Sequence, residues 1–280
     1  MPEIAYVNGR FTPLAEAVIS VEDRGFQFGD GVYEVIRTYR GRPFHLDAHL
    51  ARLERSLGAV GLAMPVSLPE WRRLIDEGLA RSGFAESKIY VQITRGVAPR
   101  DHVFPAQTRP TVVMTIRELH ALDPALVRSG VTVITVEDLR WGRCDIKSVN
   151  LLANVLARQR AKEAGVFEAL FVRGAHVTEG SASNVMMIRQ GELHTPPEGP
   201  AILSGVTRSL VLALAGEEGL KVHERLMTVE ELVQADEVLL CGTTIEILPV
   251  VAVDGRLIGA GRPGPVTGRL AAQFRAMTDQ

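Results

Sequence analysis

Residues 143–150 read RCDIKSVN and place Lys147 at the end of an extended-looking segment, directly before the apolar run LLANVLA. Both neighbouring segments have the composition of buried chain, and a lysine is seldom fully buried without a partner. Either its side chain extends along apolar surface until the amine reaches water, or the amine has a chemical task. By itself the junction favours the first interpretation, so the second depends on other unusual segments of the sequence.

The composition is that of a soluble globular protein. Hydrophobic residues make up 46% of the 280 residues, charged residues make up 23%, and the formal net charge is -2. That charge indicates no basic surface for nucleic acid, no apolar run approaches the roughly 20 residues of a membrane helix, and the N-terminus lacks the layout of a signal peptide. We therefore expect a cytoplasmic protein without nucleic-acid or membrane partners. The two cysteines, Cys144 and Cys241, form no cluster, and we expect no metal.

Eight segments alternate apolar and polar residues or are rich in β-branched residues, which is typical of strands. They are IAYVNGRF, YEVIRTYRGRPF, KIYVQITRG, TVVMTI, VTVITVED, EALFVRG, SNVMMI and EVLLCGT. Helical patterns lie between them, and several strands follow one another through short turns such as the one at Gly41. This arrangement predicts a mixed α+β architecture rather than a repeated βαβ unit.

Two helices are predicted in the first half of the chain. The first contains LDAHLARLERSL, whose leucines recur at i, i+4, i+7 and i+11 and form one apolar stripe, with Arg52 on its flank. The second begins at Ser67, which with Glu70 forms a capping-box pattern, and ends at Gly83. Taken alone, Arg52 has the usual features of a solvated charge on a helix flank.

Two more helices are predicted after Lys147. One contains SVNLLANVLARQRAKEAG and ends at Gly165, and the other begins at Thr207. The polar segment RELHALDPAL, which contains Pro124, is the best candidate for a linker. The sequence therefore predicts an N-terminal domain over residues 1–120 and a C-terminal domain over residues 121–280.

Four further segments contain residues that need an explanation. EDRGFQFGDGVYEV has closely spaced glycines near Tyr33, and TRGVAPRDHVFP has Arg100 and His102 one residue apart, so that both point to one side of an extended chain. HVTEGSASNVMM places Glu179 at a turn between two apolar segments. In LSGVTRSL a glycine leads into a helix whose first amides can bind an anion. Taken singly, each has an ordinary interpretation as a surface pair, a turn residue or a helix cap.

Together and in this order, these segments, RWGRCDIKSVNLL and CGTTIEILPV resemble the fold-type IV pyridoxal-phosphate enzymes, also called class IV aminotransferases. The Arg-x-His pair at Arg100 and His102, and the YEV that follows GDGV, resemble the D-amino acid branch of that family. The resemblance extends from about Tyr6 to the C-terminal region. It implies a two-domain α+β fold with the cofactor in the cleft between the domains, a C-terminal domain that binds pyridoxal 5'-phosphate (PLP), and a homodimer.

The resemblance assigns the chemistry to two residues. Lys147 is expected to carry PLP as a Schiff base and to move a proton during the reaction, for which its pKa must fall from about 10.4 towards neutrality. Glu179 is expected to contact the pyridine nitrogen and to favour the protonated ring that accepts electrons. Leu203 is expected to pack behind the ring.

The phosphate and the substrate have separate expected sites. The resemblance implies that the phosphate is bound by a glycine-rich helix start, a hydroxyl and a charged clamp, which correspond to Gly205, Val206, Thr207, Thr243 and Arg52. It also implies that the carboxylate of the substrate is held by Tyr33, Arg100 and His102. Arginine suits this task because its planar guanidinium holds a carboxylate through two hydrogen bonds.

The preferred hypothesis is a transaminase that moves the amino group of a D-amino acid such as D-alanine to a 2-oxo acid, 2-oxoglutarate. The alternatives on the same fold are a branched-chain L-amino acid aminotransferase, an aminodeoxychorismate lyase, and a non-enzymatic PLP storage or regulatory protein. Two departures from close D-amino acid aminotransferases bear on specificity. Ala182 and Gly242 stand where serine is expected, so each removes a hydroxyl near the predicted phosphate or substrate region.

Overall fold

The computed structural model describes residues 3–279. These residues form two compact units. The first comprises the chain through His120 together with Ile146–Asn150, and the second comprises Ala121–Asp145 and the chain from Leu151 onward. The sequence predicted two continuous domains, and the structure differs by placing Ile146–Asn150, which includes Lys147, in the first unit.

In the described part of the first unit, six strands form one antiparallel sheet. β3 and β5 pair continuously, so Tyr33 and Glu34 of β3 have defined positions on opposite faces of the sheet. The order across the sheet is β2-β1-β6-β5-β3-β4. The strands are β1 (Ile4–Val7), β2 (Arg10–Pro13), β3 (Gly31–Tyr39), β4 (Arg42–Pro43), β5 (Ser87–Thr94) and β6 (Thr111–Glu118).

Backbone pairing explains why the lysine segment belongs to this unit. The amide of Tyr33 donates to the carbonyl of Lys147 at 2.9 Å, and the amide of Val149 donates to the carbonyl of Gly31 at 3.1 Å. Buried backbone groups require such partners, and here β3 and the lysine segment supply them to each other. Ile146–Asn150 therefore lies beside β3 like a short additional strand.

The helices of the first unit are a 3-10 helix (Leu14–Glu16), α1 (Arg24–Phe28), α2 (Leu46–Ala59) and α3 (Leu68–Ser82). The predicted apolar stripe of α2 is buried at Leu50, Leu53 and Leu57, and it packs in one core with Trp71 of α3 and with the sheet. The predicted ends of α3 are confirmed. The Ser67 hydroxyl accepts from the amide of Glu70, and Gly83 closes the helix in the left-handed conformation with a φ of 69°.

In the described part of the second unit, ten strands form a mixed sheet. Its order is β12-β11-β10-β14-β15-β7-β8-β9-β13, with β16 paired to β15. The β11–β12, β15–β7 and β7–β8 pairs are parallel. The strands are β7 (Val131–Glu137), β8 (Glu168–Arg173), β9 (His176–Gly180), β10 (Asn184–Arg189), β11 (Glu192–Thr195), β12 (Val222–Glu224), β13 (Met227–Thr228), β14 (Glu237–Gly242), β15 (Glu246–Val253) and β16 (Arg256–Leu257).

The helices of the second unit are α4 (Pro124–Ser129), α5 (Leu152–Glu163), α6 (Val206–Glu217), α7 (Val229–Val233) and α8 (Pro265–Thr278). α4 lies inside the segment that was predicted to be a linker, and its start is capped by the Asp123 side chain. α6 begins one residue before the predicted Thr207, and α5 ends two residues before the predicted Gly165. α5 begins only at Leu152, because residues 148–150, which were predicted to be helical, lie extended beside β3. No helix within residues 3–279 combines the length and the apolarity needed to cross a bilayer.

The predicted α+β class is confirmed, since each unit combines a sheet with helices. All eight predicted strand segments contain strands of the structure. The sequence did not predict the strands β9, β11, β12, β13, β15 and β16. Most of these are short, and β15 is a nearly continuous apolar run that contains Pro249.

Candidate active site

Lys147 contacts two of the elements that form the first unit. Its amide donates to the Ser56 hydroxyl of α2 at 3.3 Å, and its carbonyl accepts from the amide of Tyr33 in β3. Its Nζ lies 4.4 Å from the centroid of the Tyr33 ring. The side chain is half-buried. The structure therefore brings together Lys147 and Tyr33, two of the predicted site residues, and hydrogen bonds hold both the amide and the carbonyl of the lysine backbone.

A polar stripe on α2 faces this region. His49, Arg52 and Ser56 are spaced by three and four residues, so they follow one side of the helix next to the leucine stripe, and all three are buried. Arg52 is therefore not a solvated flank charge. His49 and Ser56 were not predicted, although their spacing with Arg52 could have indicated a second buried stripe.

Glu34 is the anionic partner of this stripe. The Arg52 guanidinium donates to its two carboxylate oxygens at 2.7 and 2.9 Å, and Nδ1 of His49 lies 2.9 Å from Oε2. Burial alone would raise the pKa of Glu34, but the charge and hydrogen bonds of Arg52, the His49 hydrogen bond and the charge of Lys147 lower it to about 2. The fixed charges beside Lys147 thus include a permanent carboxylate that sequence analysis missed.

Arg100 and His102 meet at one aromatic ring. The Arg100 guanidinium carbon lies 4.4 Å from the centroid of Phe28, and the His102 ring centroid lies 5.4 Å from the same ring. Arg100 also donates to the carbonyl of Gln27 at 3.2 Å. Both side chains are exposed. The predicted pair is therefore brought together on the C-terminal end of α1, while Tyr33 is placed with Lys147.

The glycine-rich segment around α1 is fixed by an ion-pair cluster. Asp30 accepts from Nε of Arg24 and from Nε of Arg95, each at 2.8 Å. Burial acts to raise the pKa of Asp30, and the hydrogen bonds and charges of the two arginines outweigh it and lower the pKa. Gly31 is needed for space, because an added Cβ would lie 2.7 Å from the carbonyl oxygen of Ile93. Neither Arg24 nor Arg95 was predicted to have a role.

Glu179 is buried at the end of β9 in the second unit, and its carboxylate has partners on both oxygens. Oε1 accepts from the Arg140 guanidinium, and Oε2 accepts from the amide of Leu203 at 3.0 Å and from Nδ2 of Asn184 at 3.2 Å. The structure therefore joins two predicted residues, Glu179 and Leu203, and adds Arg140 and Asn184 as unpredicted partners. These contacts fix the plane and position of the carboxylate.

Arg140 is held by a second carboxylate. Its Nε donates to Oδ1 of Asp138 at 2.9 Å, and its Nη2 donates to the Thr178 hydroxyl at 3.1 Å. Burial acts to lower the pKa of Arg140, and the hydrogen bond of Asp138 with the charges of Glu179 and Asp138 outweighs it and raises the pKa. Arg140 thus stays cationic and supplies a fixed positive charge to Glu179.

The start of α6 has the features of an anion site. The N-cap is Gly205, which has no side chain to accept from the first turn. The helix itself supplies no acceptors for the amides of Val206 and Thr207. A Cβ on Gly205 would collide with Oδ1 of Asn184, so the close approach requires glycine. The same Asn184 donates to the carbonyl of Leu203 at 3.0 Å, which connects the helix start to Glu179.

Thr243 directly follows β14, the strand against which α6 packs, and is half-buried. Ala182 and Gly242, the two positions where serine was expected, lie close together. A Cβ added to Gly242 would be 3.6 Å from the carbonyl oxygen of Ala182, which is ordinary contact distance. Serine would therefore fit at position 242, and the absence of its hydroxyl is a difference in polarity rather than a steric requirement.

The family model for amino-transferase class IV matches residues 31–253. The chain therefore belongs to the class IV aminotransferases. It is 44% identical over 260 residues to the D-alanine aminotransferase of Bacillus licheniformis, with 93% of this chain and 92% of that protein covered. It is 42% identical over 271 residues to the D-alanine aminotransferase of Listeria monocytogenes serotype 4b (strain F2365), with 96% and 93% covered.

Solved structures show the same fold. The branched-chain amino acid aminotransferase of Escherichia coli superposes with a TM-score of 0.92 at 27% identity, covering 99% of this chain and 95% of that one. The T.th. branched-chain amino acid aminotransferase with pyridoxamine 5'-phosphate superposes with a TM-score of 0.91 at 29% identity, covering 99% and 94%. The predicted fold-type IV architecture is confirmed by these similarities.

PLP is the cofactor of this class of enzyme, and the residues of the chain fit it. The first unit has a lysine amine, Lys147, beside an aromatic ring. The second unit has a carboxylate, Glu179, which is held by charge-assisted and amide hydrogen bonds. It also has the start of α6, where Gly205 permits close approach and the first backbone amides suit a phosphate. These are the three functional groups that an aldehyde, a pyridine nitrogen and a phosphate require.

Proposed function

We propose that this protein transfers the amino group of a D-amino acid such as D-alanine to 2-oxoglutarate, giving D-glutamate and the matching 2-oxo acid. The observation that carries the proposal is the 42–44% identity to D-alanine aminotransferases over more than nine-tenths of the chain. The contact of Arg100 and His102 with one aromatic ring supports it further, because two cationic or donor groups on one surface suit a carboxylate.

Lys147 is the proposed point of covalent attachment and the proton carrier. When bound, PLP supplies the electron sink that stabilises a carbanion at Cα of the amino acid. Nζ of Lys147, freed from the cofactor when the amino group of the substrate takes its place, would move the proton from Cα of the amino acid to the cofactor carbon that had carried the lysine, and would move it back when the oxo acid is aminated. This is general acid-base catalysis worth about 10²- to 10⁴-fold. The Tyr33 ring, 4.4 Å from Nζ, limits where the flexible side chain can place the amine.

Glu179 is the proposed partner of the pyridine nitrogen. Its buried carboxylate is held by Arg140, Asn184 and the amide of Leu203. The carboxylate therefore needs little reorientation to stabilise a proton on the pyridine nitrogen. Leu203 is proposed to pack behind the ring. The charge of Glu179 therefore acts on the reaction rate more than on binding.

The phosphate is proposed to bind at the start of α6. The amides of Val206 and Thr207, with the partial positive charge of the helix N-terminus, are the main donors, and Gly205 permits the close approach. The hydroxyl of Thr243 and the guanidinium of Arg52 are proposed as further ligands. Arg52 is already positioned by Glu34, which fixes its direction before any anion binds.

Arg100, His102 and Tyr33 are proposed to hold the substrate carboxylate and so to choose the enantiomer. The bond that breaks at Cα must face Lys147, and the position of the carboxylate decides which hand presents its hydrogen there. Phe28 holds the planes of Arg100 and His102, which reduces the rotamer freedom lost on binding.

We further propose that the active form is a homodimer in the cytoplasm. Large apolar side chains are exposed on the segment before and within α1 and on the loop that carries Arg100 and His102, and Arg24 ties the two segments together by donating to the carbonyl of Asp101. A second copy would cover this surface. The exposed residues are Val18, Ile19, Val21, Phe26, Val97, Val103 and Phe104.

Sedimentation velocity tests the dimer. The wild-type protein is expected to sediment as a dimer, and Phe26→Glu, which places a charge on the apolar surface, is expected to shift it towards the monomer. Leu68→Glu, on an exposed position of α3, serves as the matched control and should leave the dimer intact. A monomeric wild type would contradict this part of the proposal.

A branched-chain L-amino acid aminotransferase is the second candidate, because the solved structures with TM-scores of 0.92 and 0.91 carry that activity in their names. The two candidates differ in the enantiomer that they accept. Each therefore makes an opposite prediction for one experiment.

That experiment is a half-reaction. The PLP-loaded protein is mixed with D-alanine or with L-leucine, without an oxo acid, and the visible absorbance of the lysine-bound cofactor is followed as it is lost. Loss with D-alanine, and its reversal by 2-oxoglutarate, is the expected result. Loss with L-leucine alone would replace the D-amino acid assignment by the branched-chain one.

A further inference from the structure

Glu168 carries a buried carboxylate that none of the steps above uses. It is the first residue of β8 in the second unit, and its side chain is 2% exposed. The nearest cation to Oε2 is Nη1 of Arg158 at 3.8 Å, on a side chain that is half exposed. Burial raises the pKa of Glu168, and the amide of Ala182 and the charge of Arg158 only partly offset this. A carboxylate in such a position needs a reason to be there.

The carboxylate binds the turn that follows Glu179. Oε1 of Glu168 accepts from the amide of Ala182 at 2.6 Å and from the Ser181 hydroxyl at 3.2 Å. Both donors lie between β9, which ends at Gly180, and β10, which begins at Asn184. One oxygen of Glu168 therefore holds this turn by two hydrogen bonds.

Gly180 leaves the space that this contact needs. A Cβ added there would lie 2.7 Å from Oε1 of Glu168 and would also collide with Oγ of Ser183. Gly180 does not have a positive φ, so glycine is required here by close approach and not by backbone conformation. The side chain of Glu168 and the Gly180 backbone are thus packed directly against each other.

The far end of the turn is Asn184, which connects the turn to the candidate active site. Its Nδ2 donates to Oε2 of Glu179 at 3.2 Å and to the carbonyl of Leu203 at 3.0 Å, and its Oδ1 lies against Gly205. A shift of the turn would therefore move Asn184, and with it the partner of Glu179 and the start of α6.

We propose that Glu168 is a positioning residue for the aminotransferase reaction, which acts as a hydrogen-bond acceptor that fixes the Ser181–Ser183 turn and through Asn184 holds Glu179 and the start of α6. The inference rests on the proposed roles of Glu179 and of the α6 amides. Its essential feature is the position of Oε1, and the negative charge of Glu168 is not required.

Two substitutions separate position from charge. Glu168→Gln keeps an oxygen at the place of Oε1 and removes the charge, and the half-exposed Arg158 can turn away from the new amide. Glu168→Asp keeps the charge and withdraws the oxygens by one methylene, so the Ala182 amide and the Ser181 hydroxyl lose their acceptor. Arg158→Met is the matched control, because it removes the cation beside Oε2 and leaves the hydrogen bonds from the Ala182 amide and the Ser181 hydroxyl to Oε1.

The first readout needs no activity. Hydrogen exchange of the cofactor-free protein is measured for peptides that cover Gly180–Val185. We expect exchange about tenfold faster in Glu168→Asp and little change in Glu168→Gln and Arg158→Met. Unchanged exchange in Glu168→Asp would overturn the inference, because the turn would then be held without Glu168. This comparison stands whether or not D-alanine is a substrate.

The second readout is the half-reaction with D-alanine, together with the Kd for PLP. In Glu168→Asp we expect the maximal rate to fall about tenfold or more, the Kd for PLP to rise, and the KM for D-alanine to change by less than about threefold. Glu168→Gln should stay within about threefold of the wild type. Equal losses in both variants would show that charge matters and would overturn the acceptor role.

A wild-type protein that is inactive with D-alanine would contradict the proposed function and not the structural part of this inference. Faster exchange in Glu168→Asp with wild-type rate and PLP affinity would overturn the link to Glu179 and α6. The two failures are therefore distinguishable.

Discussion

The Arg52 guanidinium and the Glu34 carboxylate form a two-bond ion pair inside the first unit, at 2.7 and 2.9 Å, with side chains that are 5% and 0% exposed. Both charged groups are buried away from water, so each charge is stabilised by the other. Such a pair fixes the direction of the Arg52 guanidinium, which is proposed to bind an anion. It also makes the fold sensitive to the loss of either partner.

Removal of Arg52 alone is expected to destabilise the protein strongly. Arg52→Met leaves the Glu34 carboxylate buried without its main partner, which costs about 3–5 kcal/mol. The double variant Arg52→Met with Glu34→Met removes both charges and should recover most of the loss in the melting temperature of the cofactor-free protein. A double variant that is less stable than Arg52→Met would contradict this account.

The lowered pKa of Glu34 also predicts that acid reduces the stability of the folded protein. The pKa of Glu34 is about 2 in the folded protein against an ordinary value of 4.5. Because the folded value is the lower one, its contribution, on the order of 3 kcal/mol, is complete above the ordinary value and is lost as the pH falls through 4.5 towards 2. Melting temperatures from pH 6 downward, compared with those of Glu34→Gln, should show a steeper decline for the wild type.

Lys147→Ala is expected to abolish turnover and the visible absorbance of the lysine-bound cofactor, because Nζ is the proposed attachment point and proton carrier. Lys162→Ala, on the exposed part of α5, is the matched control and should retain both. Absorbance spectra and steady-state rates measure the two properties. A Lys147→Ala protein with wild-type turnover would remove the basis of the mechanism.

Arg100→Ala is expected to raise the KM for D-alanine by about tenfold or more and to weaken the preference for D- over L-amino acids, because the carboxylate loses a charged partner. Arg100→Lys should not restore it fully, since an ammonium lacks the planar pair of donors. Arg109→Ala, an exposed arginine later in the same loop, is the control. An unchanged preference in Arg100→Ala would exclude this residue from enantiomer selection.

Glu179→Gln is expected to keep the cofactor bound and to slow the half-reaction about 10²-fold or more. The amide oxygen can still accept from the amide of Leu203, so the position is kept while the charge proposed to face the pyridine nitrogen is lost. Single-turnover rates and the Kd for PLP separate the two effects. A variant that reacts at the wild-type rate would show that the ring does not depend on Glu179.

The sequence was most informative where local periodicity and end signals agree. The leucine stripe of α2 and the Ser67 and Gly83 ends of α3 were predictable because neighbours on one helix determine them. β15 was not predicted, and its Pro249 would normally argue against a central strand. The structure shows why it is tolerated. β7 begins to pair with β15 only at Val250, so Pro249 has a strand partner on the β14 side alone.

The candidate site residues were named from sequence resemblance, whereas the side chains that support them were not predicted. Lys147, Glu179 and the α6 start stand in segments whose sequence resembles a known family. The supporting contacts are tertiary. Glu34 pairs with Arg52, and Arg140 contacts Glu179 across 39 residues. Asn184 is only five residues from Glu179, but it also binds the carbonyl of Leu203, 19 residues further along the chain. Arg52 illustrates the difference, because its position on a helix flank is typical of solvated charges and its actual partner lies 18 residues away.

The assignment of Ile146–Asn150 to the first unit has a consequence for biosynthesis. Domains generally fold during synthesis from the N-terminus onward. A nascent chain that ends at His120 contains every strand of the first sheet but not the segment that pairs beside β3. The first unit can be completed only after Asn150 has left the ribosome, so the segment that carries Lys147 is among the last parts of that unit to be added.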